Sequence, residues 1–318
     1  MEVEQESKIP VIVIFAPTAS GKTALTKELF APGGSRFILK AEVISADSQA
    51  VYRGLDIGTA KPEPELQKLI PHHLIDILNP QEQYNVSDFL DQADSLCQNI
   101  YSKGKIPVIC GGTGFYIRSF LYGIPKTPQS DEKIRNQLKE RIKKEGNQAL
   151  YEELKKIDPQ SAKKIHQNDS YRICRALEVY YLTGKRRSDY AIKSEFRPQY
   201  DFIFIVLEPP RELLYERINA RVDQMIEQGL EKEVQTLIKQ GYNKDTPALK
   251  AIGYQEWFQY SNLQEIIDQI KHHTRKYAKK QYTYIRDIPG SLVIPINTPS
   301  DTLDKVCDII KERLSKYI

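Results

Sequence analysis

Hydrophobic and polar positions change rhythm several times along this chain. Val11–Phe15 (VIVIF) is an unbroken β-branched and aromatic run, the pattern of a strand buried on both faces. It passes through small residues into a helical stretch over Ala24–Phe30. AEVISADS places a short apolar strand just before Asp47, and Ile106–Cys110 repeats the design: strand, glycine turn (Gly111-Gly112-Thr113-Gly114), then helix. Strands that run through tight turns into helices predict a parallel sheet with helices on both faces. Ligands of such sheets lie at the carboxyl ends of the strands. The turn after Phe15, Asp47 and the glycine turn are therefore expected along one edge.

From Lys126 to Pro198 the strand-like runs stop. Ile134, Leu138 and Ile142, then Leu150, Leu154 and Ile157, recur at helical spacing. YDFIFIVLEPP then reads as a strand returning to the sheet. The run Arg211–Gly241 is helical, amphipathic and stopped by Gly241. A further helix carries Lys271, Arg275, Lys276, Lys279, Lys280 and Arg286 among Tyr277, Tyr282 and Tyr284. SLVIPI is the expected last strand, before a closing helix from Thr302. The predicted fold is α/β: a P-loop-type parallel sheet flanked by helices (1–125 and 199–318) with an inserted all-helical subdomain (126–198).

Composition narrows the class. The 318 residues are 40% hydrophobic and 28% charged, those of an ordinary globular protein able to bury a core. The opening MEVEQESK is acidic and polar, so no secretory leader is expected, and no apolar run approaches a membrane span. Cys97, Cys110, Cys174 and Cys307 are scattered with no C-x-x-C pair, which argues for reduced thiols and a cytoplasmic protein. The net charge of +4 is mild, but its distribution is uneven. Segment 126–198 holds 18 basic and 11 acidic residues, a net of +7; the remaining 28 and 31 give −3. A basic helical module suits a polyanion, although a lysine-rich solvated face would look the same. Basic side chains interleaved with tyrosines, as in Lys271–Arg286, suit RNA phosphates and unstacked bases; the tyrosines could equally be core.

The turn Ala16-Pro17-Thr18-Ala19-Ser20-Gly21-Lys22-Thr23 nearly matches the phosphate-binding pattern G-x-x-x-x-G-K-[ST], with Ala16 in the first glycine's place. Successive backbone N–H groups and a helix N-terminus make a positive concavity for phosphate oxygens. Lys22 would reach the outer phosphates, and the Thr23 hydroxyl would sit on Mg²⁺. The pattern indicates a diphosphate or triphosphate, nucleotides such as ATP included, without indicating the reaction. Asp47, at a strand's carboxyl end, could hold a metal through water, serve as a general base, or cap a following helix. Ser48, Gln49 and Tyr52 carry hydrogen-bonding groups of the kind that read a base edge or a sugar.

Seven stretches in order resemble one family, the tRNA dimethylallyltransferases (tRNA isopentenyltransferases). They are APTASGKTAL, ISADSQAVYRGLDIGTAKP, PHHLIDI, GGTGFYI, RICRALEVY, LKAIGYQE and TRKYAKKQYTYIR, and they span nearly the whole chain. Three positions depart from the family pattern: Ala16 for glycine, Gln167 for proline and Tyr284 for tryptophan. The absence of a Cys/His finger after the core resembles bacterial members.

The resemblance implies transfer of a dimethylallyl group from dimethylallyl diphosphate to N6 of the adenine beside the anticodon (position 37) of tRNA. Residues 16–23 and Arg221 would then bind the diphosphate, while Arg217, one helical turn from Arg221, could face the diphosphate or the RNA. Mg²⁺ would sit at Thr23. Asp47 would be the general base, and Thr113 would hydrogen-bond near the diphosphate or the adenine. Asp47, Ser48, Gln49, Ala50, Thr113, Arg135, Tyr171, Arg172, Ile173, Cys174, Arg175, Lys250, Ala251, Ile252, Gly253, Tyr254 and Gln255 would face the anticodon stem-loop. The enzyme would be a monomer with no membrane partner. Two rivals remain at this level: prenylation of free AMP or ADP, against which the basic insertion speaks, and a small-molecule kinase, for which GGTGFYI offers no arginine-rich lid.

Overall fold

The computed structural model describes residues 8–190, 195–285, 288–296 and 298–317. The chain divides into two compact units, 1–121 with 197–318, and 122–196, where composition suggests 126–198. Among the described residues six parallel strands form the sheet of the first unit: β1 (Ile9–Phe15), β2 (Ala41–Ser45), β3 (His72–His73), β4 (Ile106–Gly111), β5 (Tyr200–Glu208) and β6 (Leu292–Pro295), in the order β3-β2-β4-β1-β5-β6. Along the chain come helices α1 (Lys22–Phe30), α2 (Pro64–Leu69), α3 (Val86–Ser102) and α4 (Gly114–Tyr122). The helical unit follows with α5 (Glu132–Glu145), α6 (Asn147–Ile157), α7 (Pro159–Lys164) and α8 (Ser170–Thr183). The chain then closes with α9 (Arg211–Glu227), α10 (Leu230–Lys239), α11 (Leu263–Ile285) and α12 (Pro299–Leu314).

β1 lies between β4 and β5 and is buried from Pro10 to Phe15, which is why it carries no alternation. Side chains alternate across a strand. Ile12, Ile14, Ile203 and Ile205 thus face Leu25, Leu29 and Phe30 of α1 and Val306 and Ile310 of α12. The opposite face carries rings: Phe120 of α4 lies against Phe89 of α3 and against Tyr200 and Phe202 of β5.

Two expectations shift in detail and one element is added. The helical run after β5 is two helices, broken at Gly229, whose φ of 99° no other residue type adopts cheaply. The closing helix begins at Pro299 rather than Thr302, because Thr298 caps it by accepting from Asp301 N and proline suits the first turn. α3, which periodicity left unassigned, starts at a full capping box of Asn85 and Asp88. Arg286, at the end of the basic tyrosine-rich stretch, lies outside the described residues.

The helical unit has its own core of Leu138, Leu150, Leu154, Ile173, Ala176 and Leu177. Its buried Glu178 accepts from Ser130 Oγ, Asp131 N and Arg175, fastening α8 to the segment before α5. Among the described residues no helix is long and apolar enough to cross a membrane, and all four cysteines are free thiols.

Beyond the strand ends, the loop after β2 and the turn after β4 touch backbone to backbone. Ala46 N donates to Cys110 O at 2.9 Å and Thr113 N to Ala46 O at 3.0 Å. A Cβ on Gly111 would stand 2.2 Å from the Ala46 carbonyl oxygen. Gly111→Ala is expected to lower stability by about 1–3 kcal/mol, the range for forced overpacking. The urea unfolding midpoint reads this; an unchanged midpoint would mean that the two loops do not meet as described.

Candidate active site

The loop between β1 and α1 takes its shape from two left-handed residues, Ala19 (φ 62°) and Gly21 (φ 85°). Ala16 is fully buried and is not among the positive-φ positions, so the missing pattern glycine costs nothing there. The strain sits at Ala19 instead, where an L-residue pays about 1–2 kcal/mol. Gly21 caps α1 with no side-chain hydrogen bond, which leaves the first N–H groups of that helix for an anion. Lys22 Nζ donates to Ala16 O at 2.8 Å and Pro17 O at 3.0 Å, so its third proton is available over the loop. Arg221 of α9 donates to Thr18 Oγ1 at 3.2 Å, and Ser20 Oγ is buried without a partner. A buried orphan hydroxyl costs about 1–3 kcal/mol unless something supplies its bond.

Asp47 follows β2. Its Oδ1 accepts from Gln49 N at 2.8 Å, closing a local turn; no helix begins there, so the helix-cap reading fails. Thr113 Oγ1 accepts from Ser48 N at 3.0 Å. Tyr277 of α11 stands near both: partial burial and the charge of Asp47 push its hydroxyl up to about 12, while hydrogen bonds with Thr113 and Gln281 oppose the shift.

Most of these groups line one cavity of about 580 Å³. Its wall includes Thr18–Thr23, Asp47–Ala50, Arg221 and Lys250–Gly253, so most core residues expected at the site meet there. Ala16 and Pro17 reach it through the carbonyls that hold Lys22. Thr113, Arg217, Tyr254 and Gln255 are not in the wall. Tyr254 is fully buried, its hydroxyl donating to Glu233 Oε1 at 2.6 Å and its ring closing on Gly58, where a Cβ would stand 2.6 Å away. Glu233 also accepts from Asp56 N, Ile57 N and Gly58 N, so it holds the loop that brings Gly58–Pro62 to the cavity.

Much of the rest of the wall has no role assigned from the sequence. Ile218, Val222, Met225 and Ile270 form an aliphatic side beside the phosphate loop together with the expected Ile252, and His72, Lys61 and Gln281 add polar groups alongside Tyr277, which the sequence sets among residues suited to RNA. One signal was present: Tyr277 and Gln281 are four apart on one helix and so share a face. The aliphatic residues looked like ordinary core.

In the helical unit the expected RNA-facing stretch splits by helical geometry. Tyr171 is 75% exposed and Arg172 is exposed beside Asp169. Ile173 and Cys174 belong to the core. Arg175 is spent on Glu178, Thr127 Oγ1 and the Pro128 carbonyl. Arg135 donates to Ser130 Oγ. The basic residues of α11 divide likewise: Lys271 pairs with Asp223 and Arg275 with Asn219, both on α9, whereas Lys276, Lys279 and Lys280 are exposed.

The family model described as IPP transferase matches residues 50–288. A tRNA dimethylallyltransferase of Protochlamydia amoebophila is 43% identical over 293 residues, covering 90% of this chain and 83% of its own. One from Geobacter sulfurreducens is 40% identical over 289 residues, covering 89% and 91%. Among solved structures, the tRNA isopentenylpyrophosphate transferase of Bacillus halodurans superposes with a TM-score of 0.69 at 36% identity, covering 97% of this chain and 98% of that one. A eukaryotic dimethylallyltransferase acting on tRNA gives 0.83 at 29% identity, covering 98% and 80%.

Burial pushes the Lys22 ammonium down to about 8, with Cys110 and Asp47 opposing and Arg221 adding to the shift. A bound phosphate favours the protonated amine, so affinity is full below that value and falls as pH rises through it. The ratio of pyrophosphate affinities, wild type to Lys22→Met, is expected to be flat below pH ~8 and to drop up to about tenfold per unit above it. Calorimetric titration across pH 6–10 reads this; a flat ratio throughout would remove Lys22 from the phosphate site.

Proposed function

The chain belongs to the IPP transferase family, and we propose that it moves a dimethylallyl group from dimethylallyl diphosphate to N6 of the adenine beside the anticodon of tRNA. One observation carries this reading: the phosphate loop, the carboxylate of Asp47 and an aliphatic wall share one cavity. A five-carbon chain needs such a wall beside its diphosphate. A nucleoside triphosphate would instead need partners for ribose and base there.

Each step assigns work to named groups. The loop N–H groups, Lys22 and Arg221 bind the diphosphate and neutralise the charge that grows on it as the allylic carbon–oxygen bond breaks. Ile218, Val222, Met225 and Ile270 keep water from that carbon. Asp47 takes the proton that N6 loses as its electron pair forms the new carbon–nitrogen bond. Thr113 holds the backbone of Ser48, and so the loop that carries Asp47.

Magnesium fits the donor set. The Thr23 hydroxyl lines the cavity, the Ser20 hydroxyl is an orphan, and among the described residues no three His, Cys, Asp or Glu gather into a separate metal cage. Magnesium is commonly held by few protein oxygens together with substrate phosphates. Bound there, it would lower the charge of the departing diphosphate.

The adenine must leave its stack to enter the cavity, which costs less in a single-stranded anticodon loop than in a duplex. Ser48, Gln49 and Ala50, with Lys250–Gly253, meet it inside the cavity. Tyr171 and Arg172 of the helical unit and the exposed lysines of α11 contact the rest of the anticodon stem-loop. Such an enzyme works as a monomer in the cytoplasm, where its tRNA is.

The direct test supplies Mg²⁺ and labelled dimethylallyl diphosphate, with unmodified tRNA in one tube and AMP in another. Label is expected in tRNA alone. Label in AMP alone would overturn the acceptor, and ATP turnover without label would favour a kinase. Asp47→Asn is expected to cut the rate of the chemical step by about 10²–10⁴-fold with little change in tRNA affinity; equal losses in both would remove the base role.

Arg172→Gln is expected to weaken tRNA binding and to reduce the slope of log affinity against log salt by about one. Filter binding over a salt series reads this; an unchanged slope would take that face away from the RNA.

A further inference from the structure

Gln281 lies within the stretch TRKYAKKQYTYIR, but the sequence assigns it no role of its own there, and it takes part in none of the chemical steps above. It lies on α11, is 4% exposed, and spans two loops far from it in the chain. Its Nε2 donates to the Gly112 carbonyl at 2.6 Å, and its Oε1 accepts from the Thr18 backbone N–H at 3.3 Å. Both ends of the amide are used, and only one orientation satisfies both: nitrogen on the carbonyl, oxygen on the N–H.

The position of these bonds is informative. β1 and β4 pair up to the rung Phe15↔Gly111, after which the chains part into the phosphate loop and the glycine turn. Thr18 N–H and Gly112 C=O lie just beyond that rung. Gln281 bonds to them as a strand's peptide group would, so a side chain continues the ladder where the backbones can no longer reach each other. Gly112 has its own reason here, since a Cβ would stand 2.6 Å from Nε2 and expel the amide. Tyr277, one helical turn earlier, hydrogen-bonds Gln281 and Thr113.

We propose that Gln281 is a positioning residue: its amide fixes the separation of the phosphate loop from the glycine turn, and thereby sets the diphosphate against the groups that meet the acceptor. The glycine turn is already tied to the Asp47 loop through Ala46 and Ser48. Gln281 is therefore the link that brings the donor side into the same frame. The kinetic arm of the proposal rests on the prenyl-transfer reading; the binding arm needs only a phosphate loop.

Two variants of the full-length chain separate bridging from packing. Gln281→Met keeps the volume and loses both bonds. It is expected to melt within a few degrees of wild type and to lose about 10²-fold in kcat, the cost of roughly an ångström of misplacement. Gln281→Glu is an isostere when protonated, its O–H donating to Gly112 O and its C=O accepting from Thr18 N–H. When ionised it turns an oxyanion on the Gly112 carbonyl. The ratio of its kcat to that of wild type is expected to rise at least tenfold as pH falls from 8 to 5, and its relative affinity for inorganic pyrophosphate is expected to rise in parallel.

Wild-type kcat in Gln281→Met, or a pH-independent ratio for Gln281→Glu, would overturn the proposal. A wild-type protein that moves no label to tRNA would overturn the functional reading instead. The pyrophosphate titrations of both variants would then still decide the role of Gln281.

Discussion

The last backbone rung between β1 and β4, at Phe15 and Gly111, is the point on which the site depends. Parallel strands deliver their carboxyl ends to one edge, and three chains leave that edge within hydrogen-bonding distance of one another. Ala46 is held by Cys110 and Thr113, Ser48 by Thr113, and Thr18 and Gly112 by Gln281. Gly111 and Gly112 follow from this closeness, because each would drive a Cβ into a neighbour. The glycines of this turn serve contact distance rather than backbone freedom: neither has a positive φ.

A second constraint is charge kept in a confined space. Lys22 and Arg221 both have their protonated forms disfavoured by burial, and Asp47 acts on both in the opposite sense. Two cations held close in a half-buried cleft repel each other, and a strained Ala19 and an unpartnered Ser20 hydroxyl add to the cost. A diphosphate relieves most of these terms together. Stability is thus given up at the place where binding recovers it.

The sheet was legible because buried parallel strands read as uninterrupted apolar runs, as in Val11–Phe15 and Phe202–Leu207. The phosphate loop was legible because its chemistry is local. What escaped depends on three-dimensional packing. Met225 and Ile270 look like core until a cavity is seen beside them. Gln281 is one polar residue in a polar helix until its burial is known. Linear motifs misled in the opposite way. Tyr171–Arg175 reads as one functional block, yet a helix turns about 100° per residue. It presents Tyr171 and Arg172 outward, buries Ile173 and Cys174, and ties Arg175 to Glu178. Gly229 was missed because a helix break inside an amphipathic run leaves the apolar period almost intact on both sides.

The two neighbours of β1 also set the order in which the protein can be made. β4 arrives within about a hundred residues, but β5, which pairs with all of β1 from Ile9 to Phe15, follows the whole helical unit, and Gln281 comes later still. A chain emerging from the ribosome therefore carries an uncovered apolar strand edge through most of its synthesis, a length of exposure that favours misassociation. Such distant pairing makes folding slow. The helical unit, with a local core of its own, can fold while the first strand waits for its partner.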